Sequence, residues 1–347
     1  MKTQTRLPIA IALAAAVLFA AATPASKAML DQIPPFQLAG LLYLGAAVGM
    51  IPQILSERTF SAPWSIDKKT AGRLVGAILF GGIIGPVLVL LGLRLASSAS
   101  VAMWLNLELV ATVLLGWMFF RDQLTGYGWL ASLGMLAASI LLAVSEPRAG
   151  FRAGLLVAGA CVCWGLDNHL TALIDGIPPS QTTFWKGIVA GTTNLAIGLT
   201  VSGMSAPIAV AGAALLVGGL SYGISIFLYI SAAQKLGASR SQIIFSSSPF
   251  FAVLMSALFL GESISRAQLS AALIILISLV FLFLEKHAHV HTHKAEVHDH
   301  WHSHEDPHHN HPHPDSPRVL WHSHRHTHRE TRHAHPHWPD INHRHRH

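Results

Sequence analysis

The fold of this chain is decided by a stretch that occurs twice, as FFRDQLT at residues 119–125 and as FLGESIS at residues 259–265. Both copies close a long apolar segment, and they lie 140 residues apart. A second landmark, IPP, occurs at residues 33–35 and again at 177–179, at a spacing of 144. Landmarks that return at nearly the same spacing indicate that one structural unit is present twice.

The repeated unit contains five apolar spans. A membrane-spanning helix needs about 20 apolar residues, and the chain offers ten such segments. Because five is odd, the second unit enters the membrane with the opposite orientation to the first. Inverted repeats of this kind are typical of secondary transporters. We place the spans near residues 7–28, 35–55, 73–93, 99–120, 126–145, 154–174, 182–202, 208–230, 239–260 and 266–284.

The composition also indicates a membrane protein. Mean hydropathy is +0.46 and charged residues make up 12% of the chain, which is too apolar for an ordinary soluble domain. No long hydrophilic insertion interrupts the spans, so we expect no catalytic domain and no enzyme activity. Cys161 and Cys163 lie in one span and imply no disulfide framework; packing is the ordinary role of such residues, and a Cys-x-Cys metal site is the alternative.

The distribution of basic residues predicts the topology. With ten spans and a cytoplasmic N-terminus, the cytoplasmic side holds eleven Lys and Arg residues and the opposite side holds five. This bias places both termini in the cytoplasm and the protein in the cell (inner) membrane. The net charge of +6 is explained by these flanking residues, and nothing in the chain predicts nucleic-acid binding. The eleven are Lys2, Arg6, Arg58, Lys68, Lys69, Arg73, Arg121, Lys235, Arg240, Lys286 and Lys294; the five are Lys27, Arg94, Arg148, Arg152 and Arg266.

The chain resembles the drug/metabolite transporter superfamily in its EamA-type, ten-helix form. The resemblance covers residues 7–284 and rests on the doubled five-span unit, on FLGESIS with Pro249 upstream, and on CWGLDN at residues 163–168. It implies transport without nucleotide hydrolysis, in agreement with the lack of a Gly-x-x-x-x-Gly-Lys-Ser/Thr loop in the sequence. The expected fold is all-α and polytopic, with five-helix repeats at 1–147 and 148–285 and a tail at 286–347.

Glu108 is the first candidate site residue, because it lies near the centre of the fourth span, beside Asn106. A charge at mid-membrane costs roughly 2.5–3.5 kcal/mol on insertion scales, so such residues usually face a pathway or a partner. Burial favours the neutral form, and a carboxyl that exchanges protons can couple proton movement to solute movement. The alternative is a structural carboxyl that accepts hydrogen bonds from hydroxyls such as those of residues 246–248.

Asp167, Asn168 and His169 form the second candidate cluster. Three consecutive polar residues on a helix cannot all face lipid, so part of the set must point inward. Asp167 reaches Thr171 one turn on, and His169 has the ordinary imidazole chemistry of a proton relay, or it lies at the interface. Trp164, in the same span, is expected either to line a cavity or to be an ordinary packing residue between helices. We expect substrate or coupling roles for Glu108, Asp167, Asn106, Asn168, His169 and Trp164.

Two lysines and three prolines complete the polar features of the spans. Snorkelling to the headgroups is the default interpretation of Lys27 and Lys186, although Lys186 can also pair with Asp167 or Glu108. Prolines within spans free a backbone carbonyl, which is tolerated where it faces protein or a cavity. The prolines concerned are Pro24, Pro86 and Pro249.

The tail holds 22 of the 23 histidines and few apolar residues, so we expect it to be disordered. The histidines recur at every second position, which puts them on one side of an extended chain. Neutral imidazole suits Zn, Ni, Co and Cu, so the tail is a candidate metal-binding segment, with incidental binding as the alternative. The candidate ligands are His287, His289, His291, His293, His298, His300, His302, His304, His322, His324, His326 and His328.

The leading hypothesis is secondary transport of a small solute, such as a metabolite, an amino acid or a drug-like compound, as export by alternating access. The runner-up is efflux of divalent Ni, Co or Zn with the tail collecting the ion. A third hypothesis is a metal buffer anchored by the membrane part, against which ten spans with buried acids argue. The expected partners are the lipid bilayer and a small-molecule or ion substrate, no cofactor is required, and a homodimer is compatible with the sequence.

Overall fold

The computed structural model describes residues 6–57, 60–63, 67–120, 126–145, 148–174, 177–203, 206–236, 244–284, 287–293, 296–303, 321–328 and 331–337. Within these ranges the chain up to residue 284 folds into helices in the order expected from the apolar segments. We number the ten spans α1 to α10, and several of them consist of consecutive helical pieces.

The first repeat contains α1 to α5. The third span includes a π-helical stretch at Ala77–Ile84, and the fourth ends in one at Gly116–Phe120. The bounds are α1, Arg6–Ala20 and Ala22–Met29; α2, Pro35–Ser56; α3, Lys68–Gly76, Ala77–Ile84 and Gly85–Leu95; α4, Ser98–Trp104, Leu107–Leu115 and Gly116–Phe120; and α5, Gly126–Ser145.

The second repeat contains α6 to α10. Its third span, α8, has a π-helical stretch at Gly218–Ile224, at the position that corresponds to the one in α3. The bounds are α6, Arg148–Ala172; α7, Pro179–Ser202; α8, Ile208–Val217, Gly218–Ile224 and Ser225–Leu236; α9, Ser248–Leu260; and α10, Arg266–Leu284.

Seven of the described spans, α1 to α6 and α8, are long and apolar enough to cross a bilayer. Of the rest, α7 has sufficient length but carries Gln181, Lys186 and Asn194, which lower its hydropathy. Ser248–Leu260 and Arg266–Phe281 are shorter apolar helices. These observations confirm the prediction of an all-α polytopic protein.

Local sequence explains where the spans begin. Proline at the first helical position of α2 and α7 has no N–H to leave unpaired. Ser265 and Gln268 form a reciprocal capping box at the start of α10, with hydrogen bonds of 2.8 and 3.1 Å. Glu262 caps a different helix, since its carboxylate accepts from Ser98 N and Ala99 N at the start of α4, at 2.9 and 3.0 Å. The acidic residue of FLGESIS therefore ties the end of the second repeat to the first.

Packing between the spans follows a pseudo-two-fold relation between the two repeats. The most extensive interface joins α2 to α7, which are equivalent members of the repeats, and α5 packs on its equivalent α10. Two further pairs of contacts correspond between the repeats. The α1–α8 contact corresponds to the α6–α3 contact, and the α4–α6 contact corresponds to the α9–α1 contact. The repeats are thus interleaved and do not form two separate bundles.

Glycines permit the closest of these approaches. A Cβ on Gly218 of α8 would lie 2.0 Å from the carbonyl oxygen of Leu42, and one on Gly45 would lie 2.1 Å from that of Leu215. Only a residue without a side chain fits at these two positions. The small residues of α2 and α8 therefore serve close helix packing, as is common in lipid.

The disorder expected of the tail stays a prediction, since the structure describes only short stretches of it. Its described stretches form four strands, with β1 antiparallel to β4 and β2 antiparallel to β3. Histidine at every second position is the residue period of a strand, which explains why the sequence accommodates this pairing. His304 lies outside the described residues. The strands are β1, His287–His293; β2, Glu296–Ser303; β3, Trp321–His328; and β4, Thr331–His337.

Candidate functional site

Two spans are interrupted at corresponding positions. In α4 the helix breaks at residues 105 and 106, where Asn106 N donates to Met103 O at 3.2 Å. In the ninth span a turn at residues 246 and 247 separates the helical residues 244 and 245 from the start of α9, and Ser247 N donates to Ile244 O at 3.1 Å. The two breaks lie 141 residues apart and are related by the repeat. Paired discontinuous helices in an inverted repeat indicate the binding region of a transporter.

A small cavity lies between these breaks. It has room for a few water molecules, about 40 Å³, and it is bounded by α1, α4 and the segment that leads into α9. Glu108 is the acidic group in its lining, and Asn106 lies beside it. The other lining residues are Phe19, Thr23, Ala102, Leu105, Leu109, Phe245, Ser246, Ser248, Pro249 and Ala252.

Glu108 is connected to α6 through Asn168. The Asn168 amide donates to Glu108 Oε1 at 2.9 Å and to Thr112 Oγ1 at 3.2 Å. His169 Nε2 lies 2.8 Å from the backbone oxygen of Thr112. Because α4 and α6 cross here, one turn of α6 places Asn168 and His169 against the turn of α4 that follows Glu108.

Asp167 points away from Glu108, toward α3 and α7. Its carboxylate forms an ion pair with Lys186 of α7 and accepts a hydrogen bond from Thr171 Oγ1 at 3.0 Å. Asp167 is buried and the Lys186 side chain is 18% exposed. Gly81 of α3 makes room for the pair, since a Cβ there would lie 2.1 Å from Asp167 Oδ2.

The π-helical stretch of α3 presents free carbonyl groups to the same region. Pro86 has no N–H, so the carbonyls one turn before it lack a helical donor. Tyr43 Oη and Trp164 Nε1 donate to Gly81 O, at 2.5 and 3.1 Å. Asn194 Nδ2 donates to Gly82 O at 3.1 Å. Proline in the span therefore frees carbonyls, as predicted, and side chains of α2, α6 and α7 bind them.

A second, smaller cavity of about 10 Å³ adjoins the first, and Phe19, Thr23 and Leu105 line both. Trp164 lines this second cavity together with Tyr222 and Ser26. The buried Ser26 hydroxyl has no hydrogen-bond partner among the described residues. A polar atom left unpaired at a cavity wall is a suitable contact for a water molecule or a solute.

The predicted site residues thus divide into two neighbouring groups. Glu108, Asn106 and Asn168 surround the larger cavity, whereas Asp167 belongs to the ion pair with Lys186. His169 lies between α6 and α4, and Trp164 lies at the smaller cavity. Their functional roles stay predictions.

Both lysines correct the snorkelling interpretation. Lys186 pairs with Asp167, the option that the sequence left in second place. Lys27 donates to the carbonyl oxygens of Leu93 and Ala96, at 2.7 and 2.9 Å, and so caps the end of α3. Each lysine finds a buried acceptor within the protein, which is why neither side chain has to reach the headgroups.

Sequence reasoning missed Tyr43, Thr112 and Asn194 as members of the polar region. Each is an isolated polar residue in an apolar span, and that isolation was the available signal. Both cysteines are free, and Cys161 is buried. In the described helical core no group of three or more His, Cys, Asp and Glu residues is arranged to hold a metal ion.

Comparison with known proteins agrees with this architecture. The profile of the EamA-like transporter family matches residues 6–144 and 151–284. A protein of Methanothermobacter thermautotrophicus, described as an uncharacterized transporter, is 23% identical over 277 residues, which are 73% of this chain and 79% of that protein. A crystal structure that is 16% identical has the same fold, with a TM-score of 0.59 over 80% of this chain and 98% of the other. The two family matches coincide with the two interleaved repeats, and the chain therefore belongs to the EamA-like transporter family of multi-pass membrane transporters.

Proposed function

We propose that this protein is a secondary transporter that exports a small organic solute by alternating access, with the solute bound in the cavity at Glu108. The observation that carries the proposal is the pair of symmetry-related helix breaks in α4 and α9, which flank that cavity. Interrupted helices supply unpaired backbone groups and a place where each repeat can bend.

The lining of the cavity indicates the class of solute. Its walls combine apolar and aromatic side chains with the hydroxyls of Thr23, Ser246 and Ser248 and the amide of Asn106. Glu108 is the ionisable residue among these described lining residues. Such a surface suits a small amphipathic compound that carries an amine or another hydrogen-bond donor.

The two carboxylates take different roles in this proposal. Asp167 is compensated by the positive charge of Lys186, so it holds α6 to α7. Glu108 accepts a hydrogen bond from the neutral amide of Asn168, and among the described residues no cation forms an ion pair with it. A carboxyl without a cationic partner gains or loses a proton more readily inside a membrane. Glu108 is therefore the better candidate for coupling solute movement to proton movement.

The size of the cavity supports a conformational cycle. About 40 Å³ is too little for an organic solute, which requires a pocket of several hundred Å³. Solute binding thus requires the breaks in α4 and α9 to open. Phe19 lines both cavities and contacts the rings of Tyr222 and Phe245, with centroid distances of 5.8 and 5.1 Å. A shift of this side chain would change the shape of both cavities.

The test is transport by Glu108→Gln in proteoliposomes, with a panel of amines, amino acids and metabolites and with or without a pH gradient. We expect at least a tenfold loss of flux, because the amide keeps the shape but cannot exchange a proton. The matched control is Glu57→Gln, whose carboxylate binds Ser180 and Gln181 away from the cavity and should leave flux intact. Unchanged flux in folded Glu108→Gln would refute the coupling role.

Efflux of a divalent metal is the second candidate, and the recurrence of histidine at alternate positions of the tail is the observation that favours it. Deletion of residues 287–347 removes 22 histidines and none of the ten helical spans. The truncated protein should still carry the organic solute. Flux of Ni²⁺, Co²⁺ or Zn²⁺ through it, with no organic flux, would favour metal efflux instead.

The orientation in the membrane is also a proposal. The excess of basic residues on one side supports an inner-membrane protein with both termini in the cytoplasm. Reporter fusions after Leu284 should be active in the cytoplasm, and export should appear as uptake into inside-out vesicles. Periplasmic activity of those fusions would reverse the topology.

A further inference from the structure

The IPP landmark of each repeat is followed, two residues on, by a buried glutamine that lines neither cavity. Gln37 of α2 and Gln181 of α7 are separated by the 144 residues that separate the landmarks, and their exposed fractions are 1% and 0%. Burial of an amide is costly unless the group forms hydrogen bonds. Each of these glutamines finds hydrogen-bond partners in the other repeat.

The two glutamines bind at opposite ends of the α2–α7 pair. Gln37 Nε2 donates to Gly203 O at 2.5 Å, where α7 ends. Gln181 Oε1 accepts from Ser61 N at 2.6 Å, and its Nε2 donates to Glu57 Oε2 at 2.7 Å, just after α2 ends. Each glutamine therefore fastens the beginning of its own helix to the end of the other helix, and the two helices run antiparallel.

Between these ends the backbones of α2 and α7 are in direct contact. A Cβ on Gly40 would lie 2.6 Å from Leu195 N, and one on Gly187 would lie 2.7 Å from Tyr43 O. Neither cavity has a lining residue from α2 or α7, and among the described residues neither helix has an extensive contact with α4 or α9. The fastened pair thus lies apart from the two interrupted spans that have to open.

We propose that Gln37 and Gln181 are positioning residues that keep α2 and α7 together throughout the transport cycle, as the fixed element against which the spans around the cavity move. The inference rests on the proposed alternating access. Backbones in contact and buried amides at both ends make separation of this pair costly. The pair also carries Tyr43, Lys186 and Asn194, so it presents fixed donors to α3 and α6.

Cross-linking across the pair tests the inference, in a chain with Cys161→Ala and Cys163→Ala. The variant carries Gln37→Cys with Ser202→Cys, since the Gln37 amide donates to the Ser202 hydroxyl at 3.0 Å. It is treated in proteoliposomes with a short, reducible, bifunctional thiol reagent. Its flux should stay within about twofold of that of the untreated variant, because α2 and α7 do not separate during the cycle.

The matched control places the cross-link between the spans that are expected to open. Ser98→Cys with Ser256→Cys joins α4 to α9, where the two hydroxyl oxygens are 2.9 Å apart. The same reagent should lower its flux about tenfold or more, and a reductant should restore the flux. A loss of flux in the cross-linked α2–α7 variant that a reductant restores would overturn the inference and leave the proposed function intact.

A distance measurement makes the test independent of the solute. Spin labels on the exposed positions Val48→Cys and Val189→Cys report on α2 and α7, and labels on Met118→Cys and Leu258→Cys report on α4 and α9. Pulsed electron resonance at acid and neutral pH should give an unchanged distance for the first pair and a shifted one for the second. Gln37→Met, which has no donor, should broaden the α2–α7 distance. If the parent chain carries no solute, the proposed function is refuted, whereas a shift of the α2–α7 distance with pH would overturn the inference.

Discussion

The two repeats share a backbone plan but differ in where their charges lie. At the spacing of 144 residues, Asp167 of α6 corresponds to Thr23 of α1, and Lys186 of α7 corresponds to Leu42 of α2. The second repeat thus has a buried ion pair where the first has a hydroxyl and a leucine. The two repeats have a symmetric set of helices, and the chemistry of the site depends on the positions at which their residues differ.

The third spans show the same contrast in their hydrogen bonds. Both α3 and α8 contain a π-helical stretch at the corresponding place. In α3 the carbonyl groups of this stretch accept hydrogen bonds from Tyr43, Trp164 and Asn194. In α8 the direction is reversed, because the hydroxyls of Ser221 and Ser225 donate to carbonyls of α1, at 2.7 and 2.8 Å. Both repeats have the π-helical turn, but the hydrogen bonds that it forms with neighbouring helices differ between them.

Loss of the ion pair should have the largest effect on stability. Lys186→Met leaves the buried carboxylate of Asp167 without a cation, and breaking such a pair costs about 3–5 kcal/mol. Addition of Asp167→Asn should restore most of the loss, since no unpaired charge then remains. The free energy of unfolding, from SDS titration in mixed micelles, measures both.

The control for this comparison is Leu42→Met, at the corresponding position of the first repeat. Leu42 is 1% exposed, and a substitution that keeps its volume should cost less than about 1.5 kcal/mol. Equal losses from Lys186→Met and Leu42→Met would mean that the charge of the pair does not matter.

Closer packing of α8 should have the next largest effect. Gly218→Ala brings a methyl group to 2.0 Å from the Leu42 carbonyl oxygen, and overpacking of this kind costs about 1–3 kcal/mol. Gly212→Ala in the same span is the control, since its added Cβ has nothing within 4 Å and should be neutral or stabilising. The same titration distinguishes the two, and a neutral Gly218→Ala would show that α2 and α8 can separate freely.

The smallest expected difference in stability is between variants that remove a side-chain hydrogen bond to α3 and variants that remove one from α8. Asn194→Leu leaves the Gly82 carbonyl without its side-chain donor next to Pro86, at a cost of about 1–3 kcal/mol. Ser225→Ala removes a donor to Ala15 O, and we expect a loss of about 1 kcal/mol or less. If Ser225→Ala lowers the free energy of unfolding more than Asn194→Leu does, the hydrogen bond to the freed carbonyl of α3 is not the more important of the two.

Much of the architecture could be predicted from local pattern. The positions of the ten spans and the duplicated five-span unit follow from apolar length and from landmarks such as FLGESIS, because each span must satisfy its own backbone within the bilayer. Glu108 could be singled out for the same reason, since an isolated carboxyl in an apolar helix is costly. The domain boundaries at 147 and 285 stay predictions.

Other features required the folded chain. The sequence offered Asp167 and Glu108 as alternative partners of Lys186, and helical period alone cannot decide between them because the residues belong to different spans. The role of Glu262 as a cap of α4 was equally hidden, since donor and acceptor lie more than 160 residues apart.

The amino-acid sequence by itself therefore determined the membrane class, the duplicated helices and the period of the histidines, because these depend on short-range hydropathy and on residue spacing. Tertiary structure alone decided which polar groups meet: Glu108 with Asn168, and Asp167 with Lys186. The physical reason is that helix–helix contact in lipid depends on small residues such as Gly81 and Gly218, which set how closely two backbones approach. Once two helices lie this close, the side chains that face each other across the contact become hydrogen-bond or ion-pair partners.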